Sequence, residues 1–334
     1  MTFSIHRGTN ISHWLSQSKR RGEARRAWFK EEDVRRIAEW GFDHVRIPID
    51  EVQMWDEEGE PDGEAFVLLN SALDWCADYD LKAIVDLHIL RAHYFNDRTG
   101  VPPLFTDPAV EEHFADLWRS LSDHLHDRPL DMVAYELLNE AVAEDPEDWN
   151  RVAMTAFSAV RELEPERTIV LGSNEWNHPS MFEHLTVPED ENCVLTFHFY
   201  YPMLVTHYTA PWTPAGDYDG PIDYPGTLVP PERLEDVQNE IEDQVYTVYD
   251  RDAMVEQLKE PLKTQDETGL PLYCGEFGCY HKTPQPVRVA WYRDIIDVFS
   301  EFDVAWANWD YKGGFGLVTP DGEEDGGVLE ILLS

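Results

Sequence analysis

Val133-Ala134-Tyr135-Glu136-Leu137-Leu138-Asn139-Glu140 is an apolar run that finishes on an amide and a carboxylate. Its side chains read as those of a buried strand. A carboxylate is costly to bury without a partner, so a strand that ends on one presents it to a cleft. The pattern returns in the second half of the chain, where Leu270-Pro271-Leu272-Tyr273-Cys274-Gly275-Glu276-Phe277-Gly278 finishes on Glu276. One such glutamate alone reads more simply as a helix cap or the partner of an arginine. Two in matching contexts read as a pair.

Outward from these two runs, short apolar stretches alternate with amphipathic ones. That alternation argues βα repeats and a parallel sheet. Eight runs read as strands, at residues 3–9, 44–47, 82–88, 132–139, 168–172, 194–199, 271–276 and 304–309. Helical patterns fall at 31–40, 63–79, 110–126, 147–163 and 285–299, with a short one at 327–333. The connection from Phe199 to Leu270 is long, and its first half, 201–231, is rich in Pro, Gly, Tyr and Trp. It reads as an ordered loop, and loops of that length in compact domains are usually functional. No internal repeat or domain boundary interrupts the chain. The expectation is a single (β/α)8 barrel over residues 1–334, whose active site would lie at the C-terminal ends of its strands.

The chain has 334 residues and is 43% hydrophobic, enough to fill such a core. No run approaches the roughly 20 apolar residues of a membrane span. The formal net charge is −40, from 66 acidic and 26 basic residues. This charge opposes nucleic-acid binding and anionic membranes. Acidic disorder would need few aromatics, and 12 Trp residues argue against it. Of the basic residues only 7 are Lys. High acid with little Lys resembles the proteins of salt-accumulating halophiles, and molar salt would screen the surface repulsion. A salt-adapted protein is therefore expected. Cys76, Cys193, Cys274 and Cys279 have no zinc-ligand spacing and read as reduced packing residues.

The barrel reading makes a test of the strand ends. Strand two would end on Arg46, strand three on His88, strand four on Asn139 and Glu140. Strand six would end on His198 and Tyr200, strand seven on Glu276 and strand eight on Trp309. Each alone has a plain structural explanation as an ion-pair partner, a core histidine or core filler. A barrel gathers all of them at one mouth, and two facing carboxylates are the apparatus of glycosidic bond cleavage.

With these residues in place, the chain resembles glycoside hydrolase family 5, from Gly8-Thr9-Asn10 through Gly314-Phe315-Gly316-Leu317. The resemblance implies a retaining hydrolase with Glu140 as general acid/base and Glu276 as nucleophile. It places Arg46, His88, Asn139, His198, Tyr200 and Trp309 in the remaining active-site positions. Asn-Glu is commonly followed by Pro in this family, and here Ala141 follows. No metal or other cofactor is implied.

Aromatic platforms suit the apolar faces of pyranose rings, and Trp14, Trp176, Trp212 and Trp309 fall in loops or at strand ends. The segments His93-Tyr94-Phe95-Asn96 and His207-Tyr208-Thr209-Ala210-Pro211-Trp212 are expected to shape the cleft. A β-1,4-glucan, polymer or oligosaccharide, is the first expectation for substrate, in the manner of an endoglucanase. A β-1,3- or mixed-linkage glucan, or a β-mannan, is the alternative. A silent carbohydrate-binding barrel would need the loss of one carboxylate. A metal-dependent barrel would need several ligands at successive strand ends. The N-terminus carries no leader pattern. Secretion with a leader removed is expected, since polysaccharide cannot enter a cell, and cytoplasmic action on imported oligosaccharides is the alternative.

Overall fold

The computed structural model describes residues 3–97, 99–237, 241–319 and 322–334. Eight parallel strands close into a barrel: β1 Arg7–Asn10, β2 His44–Asp50, β3 Lys82–Ile89, β4 Val133–Glu136, β5 Ile169–Gly172, β6 Cys193–Phe199, β7 Leu272–Phe277 and β8 Ala305–Asn308. Strand β1 pairs with both β2 and β8, which closes the ring. Burial on both faces explains why these strands read as apolar runs and not as alternating ones.

The outer helices are α1 Glu31–Trp40, α2 Gly63–Asp78, α3 Pro108–Leu125, α4 Pro146–Leu163, α5 Arg251–Gln257, α6 Lys259–Thr268, α7 Gln285–Glu301 and α8 Gly326–Leu332. Asp62, Asp107 and Asp145 cap α2, α3 and α4 by accepting backbone N–H groups of the first turn. Pro at the first position of α3 and α4 fits, because that residue's N–H has no helical partner to lose. Three helices also send an indole to the barrel's upper rim. Trp118 Nε1 donates to Leu137 O, Trp149 Nε1 to Gly172 O and Trp291 Nε1 to Tyr201 O, each at 2.9–3.0 Å. Each indole fills core volume and satisfies a carbonyl where the chain leaves a strand.

Differences from the sequence expectation have local causes. The first strand begins at Arg7, not at Phe3. Phe3 and Ile5 instead pack with Ile84, Ala134, Val170, Val194, Tyr273 and Ala307 as one buried cluster. There Gly8 passes so close to His44 O that an added Cβ would stand 2.5 Å from it. Strand β2 runs on to Asp50, so Arg46 lies within the strand and not at its end. Strand β4 stops at Glu136, so Asn139 and Glu140 lie past its end and not on it. Between β5 and β6 there is no long helix, only short turns at Asn174–Asn177 and Pro179–His184. The long connection after β6 is more regular than a loop. It contains a two-stranded ribbon, Gly226–Thr227 with Val248–Tyr249, and then α5 and α6. No described helix is long and apolar enough to cross a membrane. The four cysteines are buried and free.

Candidate active site

Three adjacent strands each place one charge inside the barrel: Arg46 on β2, Asp86 on β3 and Glu136 on β4. All three side chains are fully buried. Asp86 and Glu136 are register partners across β3 and β4. Arg46 donates through Nε to Glu136 Oε2 at 2.7 Å and through Nη2 to Glu136 Oε1 at 2.9 Å. Asp86 Oδ2 lies 3.0 Å from Nη2. Burial alone would weaken the guanidinium, but Asp86, Glu136 and Glu276 around it push its pKa well above the ordinary value. A permanently charged, forked donor set is what this many acceptors require.

The fork then reaches upward to the mouth. Arg46 Nη1 donates to Glu276 Oε1 at 2.8 Å and to Asn10 Oδ1 at 2.9 Å. Arg46 Nη2 donates to Asn139 Oδ1 at 2.8 Å. The hydroxyl of Tyr200 donates to the other Glu276 oxygen at 3.0 Å. Glu276 is thus held at both oxygens. Burial pushes its carboxyl upward, while Arg46 and the Tyr200 hydroxyl oppose that and favour the ion.

Glu140 faces Glu276 across the mouth. One carboxylate oxygen of each and one ring nitrogen of His198 lie within 4.8 Å of one another. Burial raises the Glu140 carboxyl well above its usual range, and the charge of Glu276 raises it further. His198 Nδ1 lies 2.8 Å from Glu140 Oε1 and 3.8 Å from Glu276 Oε2. Burial, then the Arg46 charge, holds the His198 imidazole neutral. Among the described residues His198 Nε2 and Asn139 Nδ2 have no partner, although both are buried. Buried polar atoms are rarely left unpaired, and these two sit beside the facing carboxylates.

His88 is set one layer out. Its Nδ1 is 2.7 Å from Asp86 Oδ2 and its Nε2 is 3.1 Å from Gln17 Nε2. Burial lowers its pKa to about 4, so it too is neutral at pH 7. Its ring lies parallel to that of Trp309 at 5.6 Å. Trp212 is 55% exposed and stands edge-on to Tyr280 and His207. Trp176 is half-buried, and its indole donates to Phe95 O at 2.8 Å.

Two expected cleft residues are elsewhere. Trp14 is fully buried, packs on Phe29 and donates its indole N–H to Arg25 O, so it is core and no sugar platform. His93 is buried beneath Glu140, with Nε2 2.8 Å from that residue's backbone carbonyl, so it supports the site without forming a cleft wall. Sequence reading missed Asp86, Glu136, Asn10 and Gln17. The signal for the first two was present: a lone charge in the middle of an apolar run needs an opposite charge facing it. Asn10 and Gln17 gave no such signal.

Comparison with known proteins places the chain in a family. The chain matches the model of the cellulase family, glycosyl hydrolase family 5, over residues 8–314. Endoglucanase C of Acetivibrio thermocellus is 31% identical over 324 residues, 92% of each chain. Cellodextrinase A of Ruminococcus flavefaciens is 29% identical, over 90% of this chain and 84% of that one. The crystal structure of endoglucanase Cel5A from Thermotoga maritima matches with a TM-score of 0.79 at 25% identity, over 98% of this chain and 96% of that one.

Proposed function

The chain belongs to glycosyl hydrolase family 5, and from that premise we propose that it cleaves β-1,4-glucan with retention, using Glu276 as nucleophile and Glu140 as general acid/base. The observation that carries this reading is the facing pair itself. One carboxylate oxygen of Glu140 and one of Glu276 lie within 4.8 Å of each other, a closeness that supports the roughly 5–5.5 Å carboxyl separation of retaining enzymes.

The two environments divide the labour. Glu276, held by Arg46 and Tyr200, is the ion that attacks the anomeric carbon. Glu140, whose pKa burial and the charge of Glu276 raise, keeps its proton until it delivers it to the leaving glycosidic oxygen. Once Glu276 is a neutral glycosyl ester, its repulsion on Glu140 is gone. Glu140 then ionises readily and takes a proton from the incoming water. Asn139, with its carbonyl fixed by Arg46, points its amide N–H toward the sugar 2-hydroxyl, a contact that strengthens in the transition state. Trp309 offers a flat surface to the ring bound next to it, and Trp212 and Trp176 offer surfaces farther along the cleft.

The acidic surface supports a further part of the reading, that the enzyme works in concentrated salt. Reducing-sugar release from defined β-1,4-glucans, β-1,3-glucans, mixed-linkage glucans and β-mannans, run at molar NaCl, tests the substrate. Fastest release from β-1,4-glucan is expected. Preference for a mannan or a β-1,3-glucan would replace that substrate while leaving the two carboxylates in their roles.

A further inference from the structure

Glu140 stands at the start of a stretch with little of its own to stiffen it. Ala141-Val142-Ala143 has no polar side chain and no turn residue. The structure grips this stretch from outside. His93 Nε2 lies 2.8 Å from Glu140 O. The Trp176 backbone N–H donates to Ala141 O at 3.1 Å. Asn174 holds Ala143 twice: its Oδ1 accepts the Ala143 N–H at 2.8 Å, and its Nδ2 donates to Ala143 O at 2.9 Å. A side-chain amide carries donor and acceptor side by side, so it pairs with one residue's N–H and C=O as a neighbouring strand would.

The segment that supplies these bonds is strained. Glu175, Trp176 and Asn177 follow one another in the left-handed region, with φ of 49°, 59° and 57°. L-residues visit that region singly and seldom in runs. Asn177 staples the turn: its Oδ1 accepts the Ser173 N–H at 2.9 Å, and its amide fills the space an added Cβ on Gly172 would enter. The Trp176 indole ties the turn to Phe95 in the loop after β3. Strain of this kind persists where the surroundings over-determine it, and it gathers at functional sites.

We infer that Asn174 is a positioning residue for the acid/base. By fixing the peptide of Ala143 it fixes how the chain leaves β4, and with it the aim of the Glu140 carboxyl. The left-handed turn is the device that brings Asn174 and the Trp176 backbone N–H to that exit together. The inference rests on the reading of Glu140 as the proton donor.

A change of leaving group separates this role from a merely structural one. A dinitrophenolate departs without a proton, whereas the glycosidic oxygen of cellotetraose needs one. We would measure kcat/KM for the parent enzyme, Asn174→Ala and Glu140→Gln on dinitrophenyl β-cellobioside and on cellotetraose. Misaiming a general acid sacrifices part of a roughly 10²–10⁴-fold contribution. Asn174→Ala should therefore lose at least about tenfold on cellotetraose and less than about threefold on the dinitrophenyl substrate. Equal losses on both, or no loss on cellotetraose, would overturn the inference. If Glu140→Gln itself loses equally on both substrates, the role of Glu140 fails instead. Should Asn174→Ala not fold, Asn174→Asp, which keeps the size and the acceptor for the Ala143 N–H, carries the same expectations.

Discussion

His198 Nδ1 lies 2.8 Å from Oε1 of Glu140, a neutral imidazole against a carboxyl that, in the proposed acid/base role, would carry a proton in one half of the reaction and none in the other. A neutral ring can accept from the acid or, as the other tautomer, donate to the ion. The contact therefore survives both states of Glu140. Replacing His198 by Ala should lower kcat/KM by about 10- to 100-fold, the equivalent of a hydrogen bond to a charged group at about 1.5–3 kcal/mol. Steady-state kinetics on cellotetraose would check this, and an unchanged kcat/KM would remove His198 from the machinery.

The coupling of Glu140 to Glu276 has its own signature. The negative charge of Glu276 helps to raise the Glu140 pKa, after burial. Replacing Glu276 by Gln removes that charge and keeps the shape. Glu140 should then titrate at lower pH than in the parent enzyme, while burial still holds it above the ordinary value of about 4.3. Carbon-13 NMR of labelled glutamate would follow the titration. A rise, or no movement, would contradict the arrangement.

Arg46 holds three buried carboxylates together. It compensates Asp86, Glu136 and Glu276 at once. Removing one partner of a buried ionic set costs about 3–5 kcal/mol, so Arg46→Met should lower the melting temperature steeply. The loss should depend on pH. Burial already raises Asp86 and Glu136 to about 7 against the opposition of Arg46. Groups raised in this way favour the fold when protonated, and that contribution is lost as pH rises through their folded values. Without Arg46 these values rise further, so the deficit should be larger at pH 8 than at pH 5. Thermal melts of parent and variant at both values decide it, and an equal deficit would show that the carboxyls are not left uncompensated.

The surface makes a separate prediction. Sixty-six acidic residues against 26 basic ones cannot all be paired. Their repulsion weakens as salt shortens the screening length from about 10 Å at 0.1 M to about 3 Å at 1 M. The melting temperature should rise between 0.05 M and 2 M NaCl, and replacing a dozen exposed Asp and Glu by Asn and Gln should flatten the rise. The second measurement separates charge screening from the general strengthening of apolar burial by salts. A salt-independent melting temperature would refute salt adaptation and leave the active site untouched.

What the sequence made legible follows from where its signals are local. The barrel strands announced themselves because each is an apolar run, and Glu140 and Glu276 because a carboxylate ends such a run. Arg46, His198 and Tyr200 were found by the same logic, though Arg46 proved to lie within its strand. Trp14 misled because an indole in a loop looks alike whether it faces a cleft or, as here, the backbone of Arg25. Gln17 and Asn174 were invisible, since a polar loop residue gains meaning only from the groups that folding brings to it. The left-handed turn at 175–177 was equally hidden, because Glu, Trp and Asn do not demand that backbone and tertiary bonds impose it.

The stereochemistry of the first product tests the central claim most directly. Proton NMR of cellopentaose hydrolysis, recorded before mutarotation, reports the anomer released by the facing pair. If Glu276 forms the glycosyl ester and Glu140 activates the water, the β-anomer appears first and the α-anomer grows only later. An α-anomer released first would mean a single displacement, and the roles assigned to Glu140 and Glu276 would be wrong.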